Sequence, residues 1–373
     1  MNILIVSSNY YPDISPRSSR TTELSREFSR QGHSVRVYIS NVQRDYNEEF
    51  VKYGVEVKQF PKNRFRRLST KYVFFNKIIH KVNRVLELLF EYPNIEFYFH
   101  TINLLNKDKN QYDLLISISS PYPIHWGVAK QLIKKPDLCK MWIADCGDPY
   151  MGATLERYRK PFYFKYIEKW FCKHADYITV PVIGAVDGYY PEFRDKIRVV
   201  PQGFRMDSIY LYTGKVSNIV PTFAYAGNIA LGVRNPIPII DYLLTTKKEF
   251  KFVFYTKQKD FLLIYKNILG DSIEIHDYIE RDQLLFELSK MDFLINLDNG
   301  TKRQVPSKLI DYSIAGRPVL NLYVLQLDKD LIDEFLSGNY SNSLLLPDKE
   351  IYKIENIAKC FIDLAINNSC SIA

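Results

Sequence analysis

Short apolar runs and longer amphipathic stretches alternate from one end of the chain to the other. The runs at 3–7, 35–40, 55–60, 114–119, 141–145, 177–180 and 197–201 are brief, mostly apolar and rich in β-branched residues, the pattern of strands covered on both faces. Between them, 20–31, 78–90 and 124–133 repeat apolar residues at helical spacing. This alternation predicts a parallel, doubly wound sheet with helices on both sides. A second series at 222–226, 252–255, 273–276, 293–296 and 319–322 does the same after a joint near 203–214. The expected organisation is a first Rossmann-like domain at 1–204, a second at 205–350, and a C-terminal helix within 351–373 that can pack back on the first. Two such α/β domains would face one another across a cleft, with ligands at the carboxyl ends of their strands.

Length agrees with two cores, since 373 residues exceed one typical domain. Apolar residues make up 46% and charged residues 25%, a globular balance. No uncharged apolar run reaches 18 residues, and the opening residues lack the flank of a signal peptide, so a cytoplasmic protein is expected. Five cysteines without a Cys-x-x-Cys pair predict neither a disulfide frame nor a zinc site, and six scattered histidines show no metal-ligand spacing. The formal charge of +8 is uneven: from Lys58 to Arg84 there are nine Lys or Arg and no Asp or Glu, interleaved with aromatic and aliphatic residues. Such a segment suits an anionic membrane surface, or else is a solvated helix whose apolar stripe packs on its own domain. No nucleic-acid motif is recognisable, and no nucleic-acid partner is expected.

The candidate chemistry sits on the loops after the strands. Ser7–Arg20 is a polar loop of small residues leading into a helix, where Ser15 and Arg20 could meet a ligand, or which could be a plain surface connection. Asp145 and Asp148, three apart at a strand end, could accept hydrogen bonds from sugar hydroxyls, or could cap and turn the chain. His125 opens a helix beside the same edge and joins them as an acceptor-side candidate, with a structural role as its alternative. In the second half, Gly227 and Asn228 form a turn after a strand, and Arg234 offers a planar fork suited to a diphosphate. Tyr278 follows another strand, where the backbone could present an edge to a nucleobase. Pro306 and Ser307 mark a helix start whose free amides favour an anion; Lys308 adds a positive charge and Asp311, one turn on, an acceptor for a polyol. Arg234 and Lys308 together would clamp one diphosphate.

These segments resemble the retaining glycosyltransferases of the GT-B fold, family 4, over nearly the whole chain. The strongest match is Pro306-Ser307-Lys308-Leu309-Ile310-Asp311-Tyr312 followed by Ala315-Gly316-Arg317-Pro318-Val319. In the branch that serves bacterial surface polysaccharides this reads Pro-Ser-Lys-x-x-Glu-Tyr. Residues 142–150 are similar to that branch's Asp-x-x-Asp-Pro-Trp element, and 227–236 to its Gly-Asn-x-Gly…Arg turn. The resemblance implies a nucleotide-diphosphate sugar as donor, a glycan or polyprenyl-linked acceptor, and no cofactor or metal. It places Arg234, Lys308 and Asp148 in catalysis, with Asp311 on the donor ribose. The chain departs from the family in three places. Arg303 stands where many members have a Glu, Gly147 lies near the place of the family's first-domain His, and the first loop has no glycine. Two other functions share the fold: a non-catalytic sugar-nucleotide-binding subunit and a nucleotide-sugar epimerase.

Overall fold

The computed structural model describes residues 1–366, apart from Ile14, Asn41, Gln43, 153–158, Ser208, Val233, 299–306 and 324–325. The chain divides into two units, one formed by Met1–Arg205 with Ile351–Ala373 and the other by Met206–Glu350.

The first unit is a seven-stranded parallel sheet. Its strands are β1 (Asn2–Val6), β2 (Ser34–Ile39), β3 (Val55–Gln59), β4 (Tyr112–Ile118), β5 (Cys139–Asp145), β6 (Tyr177–Val180) and β7 (Ile197–Val199). They lie in the order β3-β2-β1-β4-β5-β6-β7. The chain winds outward from β1 to β3, then returns to β4 on the other side of β1, so strand order reverses between β1 and β4. Core residues such as Ile3, Ile5, Leu114, Ile116 and Ile143 are fully buried on one face, and Leu4, Leu115 and Trp142 on the other. Both faces therefore need helices, as the unbroken apolar runs predict. The helix Ile354–Ala365 covers part of one face: Ile354, Ile357, Phe361 and Leu364, at helical spacing, are buried, and Phe361 meets Phe28 edge to face at 6.4 Å.

The second unit is a five-stranded parallel sheet of β8 (Thr222–Ala226), β9 (Lys251–Tyr255), β10 (Ile273–His276), β11 (Phe293–Asp298) and β12 (Val319–Tyr323), ordered β10-β9-β8-β11-β12. Here the reversal falls between β8 and β11. Phe223, Phe252, Phe254 and Phe293 form an aromatic layer on one face, with Phe223 stacked on Phe293 at 4.5 Å. β8 and β11 pair only at Phe223–Phe293 and Ala224–Leu294 and then part. Beyond that point the Tyr312 hydroxyl, fully buried, accepts from Ala226 N at 3.1 Å and donates to Ile295 O at 3.0 Å. One side chain thus bridges the opening strands and satisfies two backbone groups that would otherwise be orphaned.

One difference from the expected cysteine state is clear. Cys139, Cys146 and Cys172 are free thiols, whereas Cys360 is disulfide-bonded, a pairing for which the cysteine spacing held no motif.

Candidate functional site

Ser15 decides the geometry at the β1 edge. Its hydroxyl accepts from Ser18 N at 3.2 Å and caps the helix Pro16–Arg30, with Pro16 at the first turn. Ser15 also donates to Asp13 and accepts from Asn9, so its polar capacity is used locally. The helix begins four residues earlier than the apolar periodicity alone implied. That shift carries Arg20 from the helix entrance into the second turn, where it is 2% exposed.

Arg20 and Asp145 are consequently given to each other. The guanidinium donates to both carboxylate oxygens at 3.1 and 2.8 Å and reaches Val200 O and Pro201 O at the end of β7. Thr179 adds a hydrogen bond at 2.6 Å and Arg17 an ion pair at 3.5 Å. Burial pushes the Asp145 carboxyl up, but Arg20, Arg17 and Thr179 together hold it below the usual carboxylate range. The expectation that Arg20 and Asp145 would meet an acceptor is corrected on this point: the pair ties helix Pro16–Arg30 to β5 and β7. His125 is likewise a core residue. It is fully buried, its Nδ1 lies 2.7 Å from the Ser117 hydroxyl, its ring stacks on Phe171 at 5.3 Å, and burial drives its pKa down to about 3.

Asp148 is different, because it is exposed beyond the end of β5. Its loop is anchored from below: the Tyr122 hydroxyl donates to Asp148 O, and Tyr150 N and Met151 N donate to Glu168 Oε1 at 3.1 and 3.4 Å. Glu168 is fully buried, and burial raises its carboxyl to about 7 against the pull of those two amides. Sequence reasoning missed Glu168, whose only signal is a lone carboxylate among aromatics in the helix Phe164–His174.

The parting strands β8 and β11 open the second candidate site. Gly227 leaves β8 with φ +132°, a conformation that favours glycine, and its N–H donates to Tyr255 O at 3.0 Å. Asn228 is fixed twice, its carbonyl accepting from the Tyr225 hydroxyl at 2.8 Å and its Oδ1 from the Tyr278 hydroxyl at 3.0 Å. Tyr278 is thus brought to the glycine turn by its side chain, in addition to any backbone role. Ala230 and Arg234 exchange both backbone hydrogen bonds, at 3.3 and 2.6 Å, which folds the turn back on itself.

Lys308 sits in the first turn of the helix Ser307–Ala315. Its Nζ is buried and has no hydrogen-bond partner among the described residues; it lies 4.6 Å from the centroid of the Tyr225 ring. Burial, with the nearby Arg234 adding to it and Asp298 opposing it, lowers the amine from 10.5 to about 7. Two cations therefore converge where β8 and β11 separate. Asp311, one turn on, is held by Arg281 at 2.8 Å through Nε and 2.7 Å through Nη2, both on Oδ1. Burial pushes the Asp311 carboxyl up while Arg281 opposes the shift. Arg281 opens the helix Arg281–Ser289, and nothing in its sequence context marked it as a partner of Asp311. Pro306, the Ser307 side chain and Arg303 lie outside the described residues.

Two parallel, doubly wound α/β units in this order define the GT-B fold of glycosyltransferases. Solved structures that share it include sucrose-phosphate synthase from Thermosynechococcus elongatus, at 11% identity over 98% of this chain and 99% of that one, TM-score 0.62. The lipopolysaccharide outer core galactosyltransferase WaaB matches at 11% identity over 98% and 99%, TM-score 0.57. HepE of Anabaena, in complex with UDP-glucose, matches at 8% identity over 98% and 100%, TM-score 0.55. At such identities the likeness is one of fold. No family profile and no curated protein matches the sequence.

Proposed function

We propose that the protein is a glycosyltransferase that moves a sugar from a nucleotide-diphosphate donor to a glycan or polyprenyl-linked acceptor, with retention at the anomeric carbon. The observation that carries this reading is the Lys308 amine, buried and without a hydrogen-bond partner among the described residues, beside Arg234 at the strand-order reversal of the second unit. A buried cation with no hydrogen-bonded anion is costly, and a diphosphate is the counter-charge that such a place suits. HepE, of the same fold, binds UDP-glucose, which supports a nucleotide sugar as the ligand.

In this reading Gly227 and the amides at the start of the helix Ser307–Ala315 approach the phosphates. Asp311, oriented by Arg281, accepts from the ribose hydroxyls, and Asn228 and Tyr278 border the base. Negative charge grows on the diphosphate as the glycosidic bond breaks, and Arg234 with Lys308 stabilises that growth more than the ground state. The acceptor hydroxyl attacks from the leaving-group face and passes its proton to the departing phosphate. Asp148 positions the sugar or acceptor hydroxyls, and the two cations serve where other enzymes use a metal. Surface-polysaccharide synthesis on the cytoplasmic side of an anionic membrane is the setting that fits the motif resemblance and the basic segment at 58–84.

A second reading, a subunit that binds sugar nucleotides without transfer, draws on one observation. Where the resemblance expects a histidine, Gly147 leaves room that Arg17 fills, its guanidinium carbon 3.0 Å from where a Cβ would stand. A panel of nucleotide sugars in a thermal-shift assay, followed by turnover with lipid-linked acceptors, separates the readings. Transfer that falls about 10²–10³-fold in Lys308→Ala supports the first. Stabilisation by a donor with no transfer on any acceptor supports the second, isomerised donor in the absence of acceptor points to an epimerase, and no response to any nucleotide sugar rejects all three.

A further inference from the structure

The segment 61–90 leaves a large apolar stripe uncovered. The helix Val73–Phe90 carries Phe74, Phe75, Ile78, Val82 and Val85 within an arc of about 100°. All five are exposed, Phe74 at 84%. On the far side of the same helix, Asn83 binds both backbone groups of Leu68 at 2.9 and 2.8 Å, and Glu87 pairs with Arg67 at 3.3 Å. The basic loop so held is fixed to its own domain, because Glu96 accepts from Arg64 N and Phe65 N at 2.7 Å each, and Tyr92 donates to Arg66 O at 2.6 Å. A surface helix ordinarily turns its apolar stripe inward. This one holds Asn83 and Glu87, with Ile79 and Leu86 half-buried beside them, toward the domain and leaves a second apolar stripe to solvent.

Charge says what covers the stripe. Lys77, Lys81 and Arg84 flank it on one side, and Lys62, Arg64, Arg66, Arg67 and Lys71 are exposed in the loop before it. No helix among the described residues is long and apolar enough to cross a membrane, so the helix must lie along whatever surface it meets. A second copy of the chain would set these cations against one another, which is costly. We infer that this face docks on an anionic lipid bilayer, with Phe74, Ile78 and Val82 at the acyl boundary and the flanking cations on headgroup phosphates. The inference rests on the proposed membrane setting and on none of the transfer chemistry.

Co-sedimentation of the full chain with vesicles, without any nucleotide sugar, tests it. At about 0.1 M salt the protein should bind phosphatidylglycerol-containing vesicles at least tenfold better than pure phosphatidylcholine ones. The triple variant Phe74→Ser, Ile78→Ser, Val82→Ser should lose at least tenfold, and so should the variant with Arg64, Arg66, Arg67 and Lys71 changed to Ser. These positions are exposed, and circular dichroism with donor-induced thermal shift checks that each variant is folded and that donor binding fails or survives separately. Unchanged vesicle binding in either variant overturns the inference. So does a lipid-independent dimer, seen by analytical ultracentrifugation, that the stripe variant dissolves.

Discussion

Both units place buried cations at the carboxyl edge of a doubly wound sheet, and they treat them in opposite ways. In the first unit Arg20 finds Asp145, Thr179 adds to the carboxylate, and backbone carbonyls of Val200 and Pro201 take two more of the guanidinium N–H groups. In the second, the Lys308 amine is buried beside Arg234 and, among the described residues, has no hydrogen-bond partner; the Tyr225 ring lies at 4.6 Å and Asp298 only partly offsets the burial. A closed cluster of charges is a structural tie. In the proposed function, the open one is where a diphosphate's charge would sit.

The comparison can be broken most severely at Asp145. Asp145→Ala strands Arg20 in the interior and should cost about 3–5 kcal/mol in chemical denaturation; a loss below 1 kcal/mol would mean the pair is no tie. A smaller effect concerns pH. The folded Lys308 amine titrates near 7 against 10.5 in the unfolded chain, so the unfolded chain holds more protons between those values. The destabilisation is therefore full below pH 7 and is relieved as pH rises through that window. A bound diphosphate should restore the proton, and affinity should fall by up to about tenfold per pH unit above 7. Calorimetric titration of wild type and Lys308→Met from pH 7 to 9 reads this; the variant should show no such slope, and equal slopes would refute it.

Tyr312→Phe should cost about 1–3 kcal/mol, because Ala226 N and Ile295 O lose their bridge where β8 and β11 part. Urea unfolding measures it, and a neutral variant would show that the strands need no such bridge. Least of all, Ser15→Ala should cost about 1 kcal/mol of stability through the lost cap while leaving donor affinity within twofold. A large fall in donor affinity with stability intact would return Ser15 to the ligand.

Most of the architecture was legible because apolar runs and amphipathic stretches are local signals. The strand runs of both units correspond to β1–β12, and their bounds shift by at most a few residues. The pairing of Arg20 with Asp145 was not legible, since 125 residues separate them and only the fold brings them together. What displaced Arg20 was the Ser15 cap, which a sequence reading guided by apolar periodicity does not identify. The helix Val73–Phe90 shows a second limit: spacing reveals an apolar stripe but not whether it faces core or solvent. At the second site, the residues around Lys308 were marked by their types, whereas Arg281, which orients Asp311, carried no mark.

The most direct test sets two numbers side by side for Lys308→Met: unfolding free energy of the unliganded protein and affinity for UDP, GDP and ADP. Removing a buried amine that has no hydrogen-bond partner among the described residues should leave stability unchanged or raise it, while the affinity of whichever nucleotide binds wild type falls at least tenfold. A variant that loses more than about 1 kcal/mol of stability and binds the nucleotide as tightly as wild type would make Lys308 a structural residue, and would contradict the account.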